Sequence, residues 1–436
     1  MAHRSARFLH VADIHLGYDR YDSPERTIDF FYTFSDVLHR YGLQESVDFV
    51  LIAGDLFEHR SILPSVLNQA ELALRPLRDA GIPVLAIEGN HDNRPYGTNT
   101  SWLKYLAQRD FLILLEPLPG ENGEFMFEPW DGDRKLGSYI DLDCGIRVVG
   151  SRWYGAAAPT AISHLAAAVA DLPPGPFGTV LMFHHGMEGQ VARYSGALKY
   201  GEILPLKEAG VDYLALGHIH KNYELDGWVF NPGSLLANTA AEFDMQRGAY
   251  LVEIDNPGTP ANRKTASVDV SASLQTEYRQ RPCVRLRCEV NGCDSADTIV
   301  ANALSTVERA TIDRQQQPII ELKLVGQLGI ERYELDLKRL KREIQEQTDA
   351  LVVLVKLEAE SIQYDIAPNA SEGDDRCQVE TQVFADLLAQ NNRYKKRSGE
   401  LAKVLMNLKD MLAEQEPEQH LYEYLEKGLA GELPTE

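Results

Sequence analysis

The chain has 436 residues, 44% of them hydrophobic, and a formal net charge of −22 at pH 7. This length exceeds what one hydrophobic core usually organises, so we expect two or three domains. The charge weighs against a nucleic-acid substrate, because phosphate backbones bind best to surfaces rich in Lys and Arg.

The sequence also argues against a membrane protein or a disulfide-rich one. The first apolar run, residues 8–12, is too short for a secretory leader, and no segment is long and apolar enough to cross a bilayer. The five cysteines are scattered, without the close pairs that mark a structural zinc site, and are expected to be reduced thiols. We therefore expect a cytoplasmic protein without membrane contact.

Five short apolar runs in the first half of the chain predict strands that are buried on both faces. The runs are residues 8–11, 49–53, 84–87, 180–183 and 213–216. Helices are predicted at residues 26–41 and 65–80, each followed by a glycine that ends it. Helices that alternate with buried strands predict an α/β sandwich.

Each predicted strand is followed directly by side chains that can bind metal ions. These are Asp13 and His15, Asp55, Asn90 with His91 and Asp92, His184 with His185, and His218 with His220. Ligands placed after buried parallel strands emerge together at the carboxyl edge of a sheet. Gly54, Gly89 and Gly217 each precede a candidate ligand, where a glycine permits a tight strand exit. The five segments are therefore predicted to converge on one crevice.

The donor atoms in these segments indicate the chemistry of the site. Nitrogen and oxygen donors suit Mn²⁺, Zn²⁺ or Fe²⁺ better than a set of thiolates would. A carboxylate can bridge two such cations about 3.5 to 4 Å apart, and the pair activates water and neutralises phosphate oxygens. Asp55 is our candidate for that bridge. A single histidine beside a strand is more often structural, but five such segments in order predict a two-metal phosphoesterase site.

These motifs resemble those of the calcineurin-like metallophosphoesterases. Within that superfamily, residues 8–17, 54–57 and 216–221 are similar to the nuclease subunit of the SbcCD type, whose archaeal and eukaryotic counterparts repair double-strand breaks. The resemblance implies an α/β fold, a four-layer α/β/β/α sandwich with a small α+β capping domain and a C-terminal helical segment. It also implies two divalent ions, with Mn²⁺ as the expected activator.

The resemblance further implies a role for each site residue. One metal would be held by Asp13, His15, Asp55 and His220, and the other by Asp55, Asn90, His184 and His218. His91 would steady the phosphate oxygens or protonate the leaving group, and Asp92 would orient His91 and raise its basicity. His185 is expected to be a neighbour of the ligand His184. Related nucleases often carry His or Asp directly after the Asp-Leu-Phe segment, where this chain has Glu58 and then His59, so the substrate-side contacts stay open.

A second region is expected after residues 1–272, which would form the nuclease domain. Strands are predicted at residues 228–231 and 248–254, with a turn at 231–234 between them. An alternation of strands and helices at residues 284–290, 296–309, 319–325, 333–345 and 351–357 then predicts a small α+β domain at 280–362. By its position, this domain matches the capping domain of the resembled family.

The end of the chain is predicted to be a linker followed by helices. Residues 363–377 have the polar, Gly- and Pro-containing composition of a flexible linker, and residues 378–436 carry two apolar stripes at helical spacing. Two helices this short bury little between themselves, so they pack on their own chain, dimerise or bind a partner. In the resembled complexes a C-terminal helical pair binds an SMC-like coiled-coil ATPase, which is the interpretation we favour.

The favoured function is a Mn-dependent DNA exonuclease and endonuclease that acts as a homodimer with that ATPase. A calcineurin-like phosphodiesterase or phosphatase acting on a small nucleotide or a phosphoprotein would fit the acidic composition better. A non-catalytic scaffold is disfavoured by the intact ligand set. Three basic clusters could contact DNA or could simply be solvated faces: Arg279, Arg281, Arg285 and Arg287; Lys338, Arg339, Lys341 and Arg342; Arg393, Lys395, Lys396 and Arg397.

Overall fold

A computed structural model of the chain describes residues 4–21, 23–120, 125–190, 196–256, 268–292, 294–361, 376–389, 394–414 and 416–431. The chain divides into two compact units. The first comprises Met1–Val290, Ser295–Val325 and Tyr333–Glu358, and the second comprises Asn291–Asp294, Gly326–Arg332 and Ala359–Glu436. Most of the predicted linker, residues 363–377, lies outside the described residues.

The predicted strands and helices of the first half are present, together with short strands that the sequence did not indicate. Up to residue 126 the elements are β1 Arg4–Val11, α1 Pro24–Val37, β2 Phe49–Ile52, α2 Pro64–Asp79, β3 Val84–Ala86, α3 Trp102–Gln108, β4 Ile113–Leu114, β5 Leu118–Pro119 and β6 Phe125–Met126. They continue with β7 Tyr139–Asp141, β8 Ile146–Val149, α4 Ala158–Ala170, β9 Gly178–His184, α5 Tyr200–Glu208, β10 Tyr213–Gly217, β11 Tyr223–Leu225, β12 Val229–Asn231, β13 Ala249–Asn256 and β14 Asp269–Gln275.

Two six-stranded sheets form the centre of the first unit. Their strand orders are β14-β13-β1-β2-β3-β4 and β11-β12-β10-β9-β8-β7. The strands that precede the candidate ligands are parallel within each sheet, as β1 is to β2, β2 to β3, and β9 to β10. Their carboxyl ends therefore share one edge in each sheet.

Side-chain alternation along the strands divides the core into three layers. In β1, Phe8 belongs to the apolar cluster shared by both sheets, whereas Leu9 belongs to the cluster shared with α1, α2 and α3. A third cluster joins the second sheet to α4 and α5, for example through Leu181 and Ile203. The predicted four-layer α/β/β/α sandwich is thus confirmed.

Helix α1 does not end at Gly42 as predicted but continues into a π-helical segment, Leu38–Gln44. A Cβ atom on Gly42 would lie 3.1 Å from Cδ2 of Leu77. Gly42 therefore provides room for α2 and does not act as a helix stop.

A polar pair crosses the layer between the two sheets. His10 of β1 is fully buried, accepts a hydrogen bond from the Tyr213 hydroxyl (2.9 Å) through Nδ1 and donates one to the Leu216 carbonyl (3.0 Å) through Nε2. Burial lowers the pKa of His10 to about 3, although the bond to Leu216 opposes the shift. The neutral ring therefore joins β1 to β10 over the whole neutral and mildly acidic range.

This buried histidine predicts a pH-dependent term in stability. The unfolded chain binds a proton at His10 below about pH 6.5 and the folded chain does not, so the free energy of unfolding falls as pH falls. Between pH 7.5 and 5.5 the loss from this residue is about 1.4 kcal/mol. His10→Gln keeps a donor and an acceptor but removes that loss. Denaturant unfolding at both pH values should show the wild type losing more stability than the variant by this amount; parallel losses would contradict it.

The region after β14 has the predicted α+β pattern. Its elements in the first unit are β15 Cys283–Val290, α6 Ala296–Glu308, β16 Ile319–Leu328, α7 Leu337–Thr348 and β17 Val352–Leu357, with β16 running on into the second unit. The strands pair in the order β15-β16-β17, and β16 is parallel to β17. The helix predicted at 333–345 begins later, at Leu337, because Asp336 caps it by accepting from the Arg339 N–H.

The described residues of the second unit include three α-helices, whereas the two apolar stripes in the sequence predicted two. They follow the short strand β18 Glu360–Ser361 and are α8 Arg376–Ala389, α9 Ser398–Ala413 and α10 Glu418–Ala430. Helix α9 contacts both α8 and α10, and its Leu401, Val404 and Met406 are buried. Arg397 joins α9 to α10 by donating to the carbonyls of Gly428 and Leu429 (both 2.9 Å). Among the helices that the structure describes, none is long and apolar enough to span a membrane.

Candidate metal centre

The segments that follow β1 and β2 are joined by backbone hydrogen bonds. The N–H groups of Ile14 and His15 donate to the carbonyl of Asp55 at 2.9 and 3.1 Å, and that of Asp13 donates to Gly54 at 3.1 Å. The second sheet is tied to the same place, because the His218 N–H donates to the Asp13 carboxylate at 2.9 Å. Short segments from both sheets thus meet at one point.

Three groups of side chains could each hold a metal ion, since their ligand atoms lie within 4.8 Å of one another. The groups are Asp13, His15 and His220; Asp55, His184 and His218; and His15, Asp55 and His91. Asn90 joins the second group, with Oδ1 at 2.8 Å from Nδ1 of His218 and 3.2 Å from Nε2 of His184. All seven expected metal-binding side chains therefore lie together.

The rings of His15 and His220 fit a cation between them. Nδ1 of His15 lies 2.8 Å from Oε2 of Glu58, and Nδ1 of His220 lies 3.3 Å from Oε2 of Glu242. The Glu242 carboxylate accepts from the Nδ1–H of His220, which leaves Nε2 of that ring with a lone pair, and the Glu58 carboxylate lies against Nδ1 of His15 and favours the same tautomer there. The two Nε2 atoms face each other at 3.1 Å. A shared cation satisfies both lone pairs, and this arrangement is what a metal site requires.

The second group shows the same pattern around Asp55. His184 is fully buried and donates from Nδ1 to the Ala53 carbonyl at 2.8 Å, so its Nε2 points inwards, towards Asp55 and Asn90. Nε2 lies 3.2 Å from Oδ2 of Asp55 and 3.2 Å from Oδ1 of Asn90. Three atoms with lone pairs thus converge, and a proton on Nε2 or a metal ion must lie among them.

The electrostatics show how strongly this group attracts positive charge. Burial disfavours charge on His184, but Asp55 and Asp13 outweigh it and raise the pKa of His184 to about 9. Burial likewise opposes charge on Asp55, yet His184 and the neighbouring imidazoles hold the pKa of Asp55 well below its usual range. A divalent cation would take the place of the proton that His184 otherwise retains.

Four of the eleven described non-glycine residues with positive φ are candidate ligands. Asp13, His15, Asp55 and His218 all have positive φ, at 52°, 53°, 53° and 85°. Such conformations cost on the order of 1 to 3 kcal/mol each for residues other than glycine and cluster at functional sites. Four strained residues with donor side chains at one point indicate that the geometry serves a ligand.

The three glycines before the ligands serve mainly close packing. A Cβ atom on Gly54 or Gly217 would collide with the His184 ring, and one on Gly89 would collide with the Asp55 carboxylate. Only Gly54 of the three also has a positive φ, 92°. The missing side chains therefore make room for the ligands, whereas the sequence had suggested that they permit tight strand exits.

This packing predicts that Gly89→Ala damages the metal centre. The added methyl group displaces the Asp55 carboxylate, so Mn²⁺ affinity should fall on the order of 10- to 100-fold, as when a supporting contact is removed. Gly132→Ala is the matched control, because Gly132 is exposed and its Cβ would meet nothing within 4 Å. Titration calorimetry with Mn²⁺ measures both variants; equal affinities for the two would contradict the packing argument.

The expected contact between Asp92 and the His91 ring is wrong. The buried Asp92 carboxylate accepts instead from the backbone N–H groups of Leu56 (3.2 Å), Phe57 (3.0 Å) and Gly89 (3.1 Å). His91 is oriented by a different partner: its Nδ1–H donates to the Glu58 carbonyl at 2.6 Å, and its backbone N–H donates to Oδ1 of Asp55 at 2.9 Å. Asp92 therefore fixes the segments after β2 and β3, and Glu58 orients the ring.

The two residues whose role the sequence left open have distinct positions. The Glu58 side chain contacts His15, whereas His59 pairs with Asp19 at 3.2 Å, with both side chains at least half exposed. His185, beside the candidate ligand His184, donates from Nε2 to the Gly196 carbonyl at 2.9 Å. Glu58 therefore contacts the candidate ligand His15 on the side of the ring that faces away from the metal centre, and His59 lies at the surface.

Sequence reasoning missed the groups that orient the ligand rings. The Ala53 carbonyl ends a predicted strand and Glu242 lies in a segment without a motif, so neither residue type stood out. The only available signal was that the turn at 231–234 brings the chain back towards the ligands. Carboxylates that orient a histidine become visible only when the fold places them.

The basic cluster that begins at Arg279 is largely used inside the protein. Arg281 pairs bidentately with Asp29 (2.6 and 2.9 Å), Arg285 contacts Glu321 (2.7 Å), and the Arg279 guanidinium lies 4.2 Å from the centre of the Tyr32 ring. In the other clusters Arg339 pairs with Glu343 and Arg397 with Glu400. Arg393 lies outside the described residues. These contacts favour structural roles for the paired arginines.

Comparison with known proteins identifies the relatives of this chain. A profile described as "Calcineurin-like phosphoesterase" matches residues 6–222. Three proteins named "DNA double-strand break repair protein Mre11" are similar. The protein from Archaeoglobus fulgidus is 33% identical, over 56% of this chain and 52% of its own length. The protein from Haloferax volcanii is 30% identical, over 67% of this chain and 60% of its own length. The protein from Saccharolobus solfataricus is 29% identical, over 57% of this chain and 60% of its own length.

The alignments span between about half and three-fifths of the length of these three relatives. The matched profile ends two residues after His220, so it contains every candidate ligand. The four-layer sandwich and the grouped side chains agree with the profile. The chain therefore belongs, through residues 6–222, to the calcineurin-like metallophosphoesterases.

Proposed function

We propose that the chain is a metal-dependent phosphodiesterase that hydrolyses DNA, as both an exonuclease and an endonuclease. The observation that supports it most is the meeting of ring nitrogens with amide and carboxylate oxygens at one point, where a cation would satisfy their lone pairs together. The names of the relatives supply the choice of DNA as substrate.

The residues would divide into two sets that share Asp55. Asp13, His15, Asp55 and His220 would hold one ion, and Asp55, Asn90, His184 and His218 the other, with Mn²⁺ as the expected metal. When bound, the metal pair supplies an activated water and neutralises the oxygens of the phosphate. Three groups lie against the Nδ1 atoms of the ligand rings: the Glu58 side chain at His15, the Ala53 carbonyl at His184 and the Glu242 side chain at His220. They fix which nitrogen of each of these rings faces the crevice.

His91 would act on the phosphate and not as a ligand. Its Nδ1–H is held by the Glu58 carbonyl, so Nε2 is the atom that can reach a substrate. In its protonated form that atom can stabilise the phosphate oxygens or give a proton to the leaving oxygen. Asp92 would keep the segments that carry Asp55 and His91 at a fixed spacing.

We also propose that two chains associate through the first domain. The large exposed apolar side chains of the first unit include Ile28 and Tyr32 on α1 and Leu63 and Leu72 at α2. Four such side chains on neighbouring helices provide apolar area that a homodimer would bury. Residues 280–362 would act as a capping domain beside the site.

The tail would bind an SMC-like coiled-coil ATPase. Leu412 on α9 and Tyr422 and Leu429 on α10 are exposed, so the tail retains apolar surface after its helices have packed together. Such surface suits a coiled-coil partner. A pull-down of the ATPase with the full chain and with a chain that stops at residue 367 tests this: capture only by the full chain is expected, and equal capture would overturn the assignment.

The catalytic proposal is tested by substrate choice. Purified protein with Mn²⁺ is given end-labelled duplex DNA, single-stranded DNA and an aryl phosphodiester. We expect turnover of DNA that requires added Mn²⁺. Turnover of the aryl ester alone would favour the second candidate, a phosphodiesterase or phosphatase for small nucleotides or phosphoproteins, which the net charge of −22 and the internally paired arginines support.

A further inference from the structure

The segment between β12 and β13 carries a carboxylate that touches the metal centre. Glu242 is mostly buried, and its Oε2 lies 3.3 Å from Nδ1 of His220. The backbone N–H of Asn238 donates to the same oxygen at 2.8 Å, and the Thr239 hydroxyl donates to Oε1 at 3.1 Å. Three contacts thus fix the carboxylate, and through it the tautomer and direction of the His220 ring.

Charge on Glu242 is maintained in this position. Three donors, the His220 ring, the Asn238 N–H and the Thr239 hydroxyl, are directed at the carboxylate and favour its ionised form. An ionised acceptor behind a ligand imidazole increases the basicity of the ring nitrogen on the other side. Nε2 of His220 is that nitrogen, and it faces Nε2 of His15 at 3.1 Å.

The same segment is held by one side chain of the α+β region. The Arg285 guanidinium, on β15, donates to the Ala240 carbonyl and to the Asp244 carboxylate, and it lies 5.8 Å from the centre of the Phe243 ring. These three residues surround Glu242 in the sequence. Arg285 therefore fixes both flanks of the segment that presents Glu242 to His220.

Arg285 is itself held by a buried acid. Its Nε donates to Oε2 of Glu321 at 2.7 Å, and the other oxygen of Glu321 lies 2.5 Å from Nζ of Lys356. Glu321 on β16 is fully buried, and β17 carries Lys356. A charged acid buried between two cations is costly to disturb, so this group fixes the direction of Arg285.

We propose that Glu242 is a positioning residue for His220 and that Arg285 holds it in place, so that the α+β region determines how tightly the Asp13, His15 and His220 group binds its metal ion. This inference rests on the two-metal site of the proposed function. The continuous path runs from Glu321 through Arg285 and the 240–244 segment to Glu242 and His220. Its contacts all lie within the first compact unit.

The test uses the full chain and three variants, with Mn²⁺ as the probe. Glu242→Gln removes the charge at nearly constant volume, and Arg285→Met removes the guanidinium while retaining an apolar stem. Arg281→Met is the matched control, because Arg281 also joins the α+β region to the rest of the first unit, through an equally close pair with Asp29. Among the hydrogen bonds and ion pairs that the structure describes, Arg281 has none with residues 238–244. Calorimetry measures the affinity for each Mn²⁺ ion, and DNA cleavage gives kcat as a function of Mn²⁺ concentration.

Glu242→Gln should weaken one of the two Mn²⁺ sites on the order of 10- to 100-fold and leave the other unchanged. Raising Mn²⁺ should restore most of kcat, which a folding defect would not allow. Arg285→Met should weaken the same site, and the double variant should be little worse than Glu242→Gln alone, since the two act through one path. Arg281→Met should bind both ions as the wild type does.

Three results would count against the inference. Unchanged affinity in Glu242→Gln would remove the positioning role. Equal weakening by Arg285→Met and Arg281→Met would show that only the attachment of the α+β region matters. Additive effects in the double variant would show that Glu242 and Arg285 act separately. A wild type that binds no Mn²⁺ is a different result, because it would overturn the proposed function itself.

Discussion

Asp55→Asn is expected to abolish nuclease activity and to release both metal ions. Asp55 is buried, shared by both proposed ligand sets, and hydrogen-bonded to the His91 backbone at 2.9 Å. An amide cannot supply the negative charge that two cations require. Loss of one oriented group at a charged transition state costs on the order of 100- to 1,000-fold in kcat, and here two ions are lost as well, so a fall beyond 1,000-fold is expected.

The measurement pairs single-turnover cleavage of duplex DNA with the metal content after dialysis. Asp79→Asn is the control, because it removes the same charge from a carboxylate that is 59% exposed and pairs with Arg78. The control should keep activity and two ions per chain. An Asp55→Asn protein that retained both ions, or that cleaved DNA at a rate close to the wild type, would show that Asp55 does not bridge them.

His91→Gln is expected to lower kcat without loss of metal. His91 can reach the substrate only through Nε2, since Nδ1 is held by the Glu58 carbonyl. Removal of a group that transfers or shares a proton in the transition state costs on the order of 100- to 10,000-fold. The side chain lies outside the two proposed ligand sets, so both ions should remain bound.

Two measurements separate the possible roles of His91. If the ring protonates the leaving group, the variant should lose far less activity towards an aryl phosphodiester, whose leaving group departs without a proton, than towards DNA. Equal losses on both substrates would indicate that the ring stabilises the phosphate oxygens. Loss of one ion would show that His91 is a ligand, as its place beside His15 and Asp55 allows. His39→Gln, at an exposed position, should change neither quantity.

The strands and the order of the candidate ligands could be predicted because they depend on local pattern. Four or five apolar residues followed by Asp, Asn or His define both a buried strand and the edge at which it ends. This rule holds for the candidate ligands that follow β1, β2 and β3 and for those at the ends of β9 and β10. Their meeting was predictable because parallel strands share one carboxyl edge.

The supporting contacts could not be predicted because they join residues far apart in the sequence. Glu242 and Arg285 lie 22 and 65 residues after His220 and belong to no motif. The resemblance implies that Asp92 orients its neighbour His91, whereas the Asp92 carboxylate accepts from three backbone N–H groups. The roles of Gly54, Gly89 and Gly217 were misjudged similarly, because the collisions they avoid involve side chains from other strands.

The position of bound metal in a crystal tests the central claim most directly. Crystals of the protein grown with Mn²⁺ and measured at the manganese absorption edge should show two anomalous peaks, about 3.5 to 4 Å apart, with Asp55 between them. One peak should lie beside His15 and His220, and the other beside His184 and His218. A single peak elsewhere, or no peak among these side chains at saturating Mn²⁺, would contradict the account.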